Sequence, residues 1–252
     1  MFDLSGKVAL ITGGNGGLGL AYGRGLVKCG AKVAIWGRNE VKNGEAAEEL
    51  RALGGEVAAF ACDVTDDAQI AASFASTIER FGQIDICFAN AGGAGFRGMS
   101  HMVGREQWLS AIDLNLMSVV STFGVVTQHL LERKAPGRLI VTSSVAALVG
   151  TGGAAGYSTT KAAVIGLVQS LALELGQAGI RANAILPGFV ETEMSMDTSK
   201  AFQDAQRRRS AIGRIGRLED MEGVAVFLAS DESDFMTGRC MILDGGHTIH
   251  PI

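Results

Sequence analysis

The chain has 252 residues, 47% of them hydrophobic, with 35 glycines, only 3 prolines and a net charge of -4. That length and apolar content suit one large α/β domain with a sizeable core and exclude a disordered chain. The faint acidic balance has no long run of one sign, which excludes a nucleic-acid footprint; Arg207-Arg208-Arg209 reads as a solvated helix face.

Short apolar runs alternate with amphipathic stretches from end to end. Lys7–Thr12 reads as a strand, followed by a glycine-rich turn and a helix over Gly17–Cys29. Lys32–Trp36 is the second strand and Glu40–Leu53 the next helix; Val57–Ala61 and Ile84–Ala89 are strands separated by a helix beginning near Asp66. A long helix covers Arg105–Lys134, then Arg138–Thr142 is a strand, a further helix runs to Gln177, and Arg181–Leu186 is the sixth strand. A helix over Asp220–Ala229 precedes the last short strand, Cys240–Leu243. This alternation predicts a doubly wound, mostly parallel sheet of about seven strands with helices on both faces. One domain spanning 1–252 is the economical division. The polar, Met-dotted segment 190–214 does not fit the alternation and is expected to be a substrate lid.

No uninterrupted apolar run reaches membrane-spanning length, and the N-terminus lacks a signal-peptide pattern. Cys29, Cys62, Cys87 and Cys240 are scattered, without a CxxC pair, and read as small apolar residues of a reducing compartment. His101, His129, His247 and His250 are too separated to complete a ligand set, so no metal is expected. These readings place the protein in the cytoplasm, with no membrane partner.

Two features carry chemistry. Thr12-Gly13-Gly14-Asn15-Gly16-Gly17-Leu18-Gly19 closes the first strand and opens the first helix. Glycines there allow a tight turn and let backbone N–H groups approach a pyrophosphate at the helix N-terminus. At the end of the second strand, where an NAD site usually carries an acid, Gly37-Arg38-Asn39 offers an arginine instead. A guanidinium there suits a ribose 2′-phosphate, so NADP(H) is favoured over NAD(H). The second feature is Tyr157 with Lys161, four residues apart on one helix face. An ammonium beside a phenol is expected to lower the phenol pKa towards the range of acid–base work.

With these elements in order, the sequence resembles the single-domain short-chain dehydrogenase/reductases over nearly its whole length. The resemblance rests on Thr12-Gly13-x-x-x-Gly17-x-Gly19, Asp63-Val64, Asn90-Ala91-Gly92, Asn115, Ser144, Tyr157-x-x-x-Lys161, Pro187-Gly188 with Thr192, and Asp244-Gly245-Gly246. Thr159 and Thr160 replace smaller residues inside the Tyr-x-x-x-Lys element, and Ala89 stands where a second asparagine is common.

The resemblance implies a Rossmann-type fold and hydride transfer between a nicotinamide and a carbonyl or secondary alcohol. It implies cofactor contacts from Gly13, Asn15, Gly17, Leu18, Gly19, Arg38, Asp63, Val64, Asn90, Ala91 and Gly92, and then from Tyr157, Lys161, Pro187, Gly188, Val190 and Thr192. Tyr157 would be the general acid/base, Ser144 would hold the substrate oxygen, and Lys161 would hold the nicotinamide ribose and tune Tyr157. Asn115 would support a water linking Lys161 to solvent. Ser143 is a competing serine, disfavoured by spacing.

The stretch 162–168, apolar nearly all round, and the helix around Leu114–Leu131 imply a homo-oligomer, a tetramer by the resemblance. Within the reading, a 3-oxoacyl thioester competes with a sugar, polyol or small ketone. Leu173 sits where acyl-carrier reductases of the family present an arginine. A non-catalytic NADP(H) sensor and a cofactor-free lyase on the same scaffold are the other readings; the joint presence of Ser144, Tyr157 and Lys161 argues against the first, and the intact glycines with Lys161 against the second.

Overall fold

Strands that are covered on both faces read as near-continuous apolar runs, and the central strands show this, with polar residues such as Thr12, Arg138 and Thr142 at or near their ends. In the computed structural model, which describes residues 1–249, the strands are Val8–Thr12 (β1), Lys32–Gly37 (β2), Val57–Ala61 (β3), Ile86–Ala89 (β4), Gly137–Thr142 (β5), Ile180–Pro187 (β6) and Cys240–Leu243 (β7). Every residue of β1, β4 and β5 is buried, whereas β3 and β7 are mostly half-exposed. The sheet order, β3-β2-β1-β4-β5-β6-β7, puts those two at the edges. All six pairings are parallel.

The helices are Gly17–Lys28 (α1), Glu40–Ala52 (α2), Asp67–Phe81 (α3), Arg105–Ile112 (α4), Ser118–Arg133 (α5), Ala146–Val149 (α6), Ala155–Leu175 (α7), Glu193–Met196 (α8), Lys200–Arg209 (α9) and Glu222–Ala229 (α10). Alternate strand residues feed two cores. Ile11, Ile35, Phe88 and Ile140 pack with Leu26, Leu50 and Leu228 on one face. Leu10, Trp36, Cys87 and Leu139 pack with Phe123, Val126, Val164 and Val168 on the other. Helices therefore cover both sides of the sheet, and Trp36 is wholly buried with its indole N–H donated to Thr77 at 3.0 Å. His250 lies outside the described residues.

The sequence reading differs from the structure in two places. The single helix expected over Arg105–Lys134 is interrupted by a π-turn at Asp113–Met117, which contains Asn115. Such a turn inserts one extra residue per turn and commonly marks a functional position. The segment 190–214, to which the sequence reading assigned no helix or strand, carries α8 and α9, each opened by a hydroxyl cap, from Thr192 and Ser199. By length and mean hydropathy of 1.6, the stretch Arg105–Arg133 would suit a membrane. Here Val119, Phe123, Val126 and Leu130 on one of its faces pack into the core beneath the sheet.

Because β1 has β2 on one side and β4 on the other, the chain reverses direction across the sheet at β1. A crevice opens beyond the carboxyl ends of strands at such a switch point. The glycine turn after β1 and the Asn90-Ala91-Gly92 turn after β4 both border it.

Candidate active site

The glycine turn is built for close approach. Gly13 and Gly17 have φ of +63° and +50°, in the left-handed region. A methyl on Gly19 would run into the Gly13 carbonyl and the Asn90 amide, so the third glycine lets helix and strand touch. A methyl on Gly16 would meet nothing within 4 Å, and no side chain caps α1. The first N–H groups of α1, including that of Leu18, therefore have no capping side chain and are left for a ligand such as a pyrophosphate. The residues present fit a dinucleotide.

Asn15 turns away from the crevice: its amide donates to Asn43 Oδ1 at 2.7 Å, and Asn43 in turn donates to the carbonyls of Gly37 and Phe60. Its side-chain amide ties the turn to α2. Arg38 follows β2 with 73% of its side chain exposed, its guanidinium 3.8 Å from Asp63. The Asp63 carboxyl lies below its ordinary pKa, chiefly because it accepts the Thr65 backbone N–H and hydroxyl, with Arg38 adding to this. Val64 beside it is buried. Arg38 is therefore solvated and loosely paired, not locked.

The floor of the crevice is a staple across three strands. The Thr12 hydroxyl accepts the N–H groups of Asn90 and Ala91, both at 3.0 Å. The Asn90 amide donates back to the carbonyls of Thr12 and Gly13, while its Oδ1 accepts the Thr142 hydroxyl at 3.0 Å. Asn90 thus holds β1, β4 and β5 together.

At the end of β5 the two adjacent serines part company. The Ser143 hydroxyl donates to the Lys161 carbonyl at 2.7 Å, which fixes α7 against the strand. The Ser144 hydroxyl accepts the Ala146 N–H at 3.1 Å and keeps its proton for another partner. Tyr157 and Lys161 share a face of α7, with the ammonium 5.8 Å from the phenol ring centroid. That ammonium is buried and donates to the Thr142 carbonyl at 2.8 Å. Burial pushes its pKa down to about 8.

The expected lowering of the Tyr157 pKa by Lys161 is not what the geometry produces. Burial pushes the phenol above its ordinary value; the Ser144 hydroxyl and the Arg97 guanidinium pull the other way without prevailing. The lysine ammonium is engaged by the Thr142 carbonyl of β5. A shared helix face brought the residues together, but burial sets the sign.

Asn115, wholly buried on the π-turn, closes a two-way pair with Gly93: its Oδ1 accepts the Gly93 N–H at 2.9 Å and its amide donates to the Gly93 carbonyl at 3.1 Å. A methyl on Gly92 would sit 2.8 Å from Asn115 Oδ1 and 3.2 Å from Lys161 Nζ. Glycine is needed there because two polar groups converge on it.

Across the crevice, the Gly188 N–H donates to the Leu243 carbonyl at 2.9 Å, the Pro187 carbonyl accepts the Val145 N–H at 3.1 Å, and buried Val190 pairs with Gly216. Asp244 closes its own turn by accepting the N–H groups of Gly246 and Thr248, and backs Gly188 from behind. Thr192 stands over the glycine turn, its methyl 3.5 Å from where a Gly17 Cβ would be. An ion pair invisible in the sequence spans the gap: Lys42 of α2 meets Glu193 of α8 at 2.7 Å. A second unforeseen contact is Phe96, whose ring packs on Gly156 and tilts against Trp108 at 5.2 Å. No group of acidic, histidine or cysteine side chains able to hold a metal occurs among the described residues.

This geometry has close counterparts. The family model described as enoyl-(acyl carrier protein) reductase, a short-chain dehydrogenase model, matches residues 13–248. The chain is 34% identical to the 3-oxoacyl-(acyl-carrier-protein) reductase FabG of Chlamydia pneumoniae, covering 97% of this chain and 98% of that one. It is 35% identical to the L-rhamnose 1-dehydrogenase (NAD(P)(+)) of Azotobacter vinelandii over 95% of this chain and 96% of that one. Among solved structures, 7α-hydroxysteroid dehydrogenase complexed with NADH and 7-oxo glycochenodeoxycholic acid superposes with a TM-score of 0.93 at 27% identity, covering 97% of this chain and 95% of that chain. A seven-stranded parallel sheet, a glycine turn at its switch point and a match over nearly all the chain lead to one assignment: the chain belongs to the short-chain dehydrogenase/reductase family, oxidoreductases that bind a nicotinamide dinucleotide and act on alcohol or carbonyl groups.

Proposed function

We propose that the chain is an NADP(H)-dependent oxidoreductase that interconverts a small-molecule carbonyl and its secondary alcohol, with Tyr157 as general acid/base. The observation that carries this is the convergence of Ser144, Tyr157 and buried Lys161 at the carboxyl end of β5, beside an uncapped helix N-terminus. The dinucleotide, when bound, supplies or accepts the hydride. Ser144 donates a hydrogen bond to the substrate oxygen, and Tyr157 delivers its proton to that same oxygen as negative charge develops. Lys161 binds the ribose hydroxyls of the cofactor. Asn115, with its amide tied to Gly93, acts as a positioning residue that holds Gly92 and Gly93 beside Lys161.

The other cofactor contacts follow the crevice: the backbone of Gly13 to Gly19 for the pyrophosphate, Asp63 and Val64 for the adenine end, Ala91 and Gly92 beneath the riboses, and Pro187, Gly188, Val190 and Thr192 at the nicotinamide end. In this reading 190–214 is the lid of a single 1–252 domain. Substrate and cofactor preference are tested together by following NADPH and NADH oxidation against a panel of ketones, sugars, steroids and acyl thioesters. Turnover of at least one class is expected. Tight NADPH binding with no turnover of any class would identify a sensor instead.

The exposed Arg38 supports the choice of NADP(H), since a solvated, loosely held guanidinium is free to meet a 2′-phosphate. Arg38→Ala is expected to lower kcat/KM for NADPH roughly 10- to 100-fold with little change for NADH, the scale of a hydrogen bond to a charged group. Equal effects on both cofactors would overturn the preference.

A second reading, reduction of a 3-oxoacyl thioester, is favoured by the similarity to the chlamydial reductase. Against it stands Leu173, 87% exposed on α7, an apolar residue on the outer face where a carrier protein would call for a cation.

We also propose a homotetramer. An apolar groove between α5 and α7, lined by Val120, Phe123, Leu131, Leu167 and Leu171, supports it, as an uncovered face of this kind seeks a second copy. Leu171→Glu is expected to shift the sedimentation profile to smaller species; a monomeric wild-type protein would overturn the proposal. Four unpaired cysteines support a reducing compartment, which we take to be the cytoplasm.

A further inference from the structure

The loop after β4 brings Arg97 to the site. Residue 97 is held from both sides by the turn that precedes Tyr157. On one side the Phe96 ring presses on Gly156 so closely that a methyl there would lie 2.5 Å from it, and the same ring is wedged by Trp108. On the other, the Gly98 N–H donates to the Gly153 carbonyl at 2.9 Å. Between these two anchors the Arg97 backbone has little freedom, and its guanidinium lies close enough to the Tyr157 phenol to favour the phenolate.

The charge itself has no partner. Among the described residues Arg97 is exposed and makes no hydrogen bond or ion pair, and it is the unpaired arginine that stands beside the Tyr157 turn. Glu106 lines the adjacent hollow with Phe96 and Leu114, yet forms no bond to Arg97. A surface arginine usually swings freely in water. The backbone of this one is anchored through its neighbours Phe96 and Gly98 beside Gly153 and Gly156, with its five donors unused and a fork geometry matched to a carboxylate.

We propose that Arg97 binds a carboxylate of the substrate, so that the enzyme acts on oxo acids and hydroxy acids whose carboxylate lies within a few bonds of the reacting carbon. This rests on the assignment of Tyr157 and Ser144 as the groups that hold the reacting oxygen. A substrate with its oxygen on those hydroxyls and its carboxylate on Arg97 is fixed at two points, which selects one face of the carbonyl for reaction. The group nearest the keto carbon of a 3-oxoacyl thioester is uncharged and would leave Arg97 unanswered. Arg97 thus argues against the thioester reading and narrows the carbonyl substrate to one that carries an acid group.

The test compares a series of oxo acids with their methyl esters, which keep the carbon skeleton and remove the charge. For wild type, kcat/KM for the preferred acid should exceed that for its ester by about 100-fold, chiefly through KM. Arg97→Gln should collapse that ratio at least tenfold while KM for NADPH holds, and Arg97→Lys should restore part of it. An ester used as well as the acid by wild type overturns the proposal. So does an equal loss on acid and ester in Arg97→Gln, which would mark a structural role, or a preference for phosphate esters over every carboxylate. Those failures leave the Tyr157 assignment standing. If no carbonyl compound is turned over, or Tyr157→Phe is fully active, the underlying reading fails and the proposal falls with it.

Discussion

Tyr157→Phe is expected to lower kcat roughly 10²- to 10⁴-fold, the range for removing a general acid, while NADPH binds within a few-fold of its wild-type affinity. The substitution deletes one oxygen from a ring that otherwise keeps its packing, so the effect reports proton transfer and not shape. Steady-state turnover with a verified substrate and fluorescence titration of NADPH read the two quantities separately. The raised phenol pKa adds a directional prediction. With its proton held more tightly than usual, Tyr157 stays protonated through the neutral range. Carbonyl reduction should therefore be nearly flat across neutral pH and fall only in alkali, while alcohol oxidation should rise with pH as the phenolate forms. Turnover by the phenylalanine variant near wild-type level would remove Tyr157 from the mechanism.

Lys161→Met is expected to abolish activity and, at neutral pH, to stabilise the fold. The ammonium is buried with one hydrogen bond, to the Thr142 carbonyl, and burial brings its pKa from 10.5 down to about 8. The sign follows from proton counting. Between about 8 and 10.5 the unfolded chain holds a proton on this lysine that the folded chain has released, so stability climbs with pH through that window. Below it both states are protonated and the folded state bears the whole desolvation, which corresponds to roughly 3 kcal/mol. Methionine removes that cost but leaves the Thr142 carbonyl without its donor, a loss of about 1–3 kcal/mol. The net gain is thus smaller, on the order of 1 kcal/mol, or a few degrees in Tm.

The pH dependence is the sharper readout. Buried Cys62 and Cys87, whose thiols are pushed up by burial, act in the opposite direction, because the unfolded chain ionises them first. Subtracting the variant's unfolding curve from that of wild type across pH isolates Lys161. A difference that does not change between pH 8 and 10.5 would assign the slope to another group. A destabilised active site of this kind is expected where a charge is kept for a ligand and not for the fold.

Much of the architecture was legible because parallel strands covered on both faces are near-continuous apolar runs. The runs Val8–Thr12 and Lys32–Gly37 announce themselves in this way, and Cys240–Leu243 was found at its full extent despite lying at an edge. The glycine turn was legible for a related reason: only glycine tolerates positive φ at residues 13 and 17 and the close helix–strand approach at residue 19. The π-turn at Asn115 was not legible, since an inserted residue leaves the apolar spacing of a long helix nearly unchanged. Nor was the ion pair between Lys42 and Glu193, because contacts between residues so far apart in the chain leave no periodic trace.

Residue identity by itself determined which groups with reactive protons this protein owns, and the order in which strands and helices deliver them. Spacing alone was enough to put Tyr157 and Lys161 on one helix face. Only the tertiary structure decided what those groups do to one another. It turned the Ser143 hydroxyl to the Lys161 carbonyl and set the Ser144 hydroxyl beside the Tyr157 phenol. It directed Lys161 to the Thr142 carbonyl, raised the Tyr157 pKa where spacing had pointed to a lowered one, and anchored the loop that carries unpaired Arg97 beside the turn before it. The reason is that electrostatic strength depends on burial and direction, and both are properties of the packed chain.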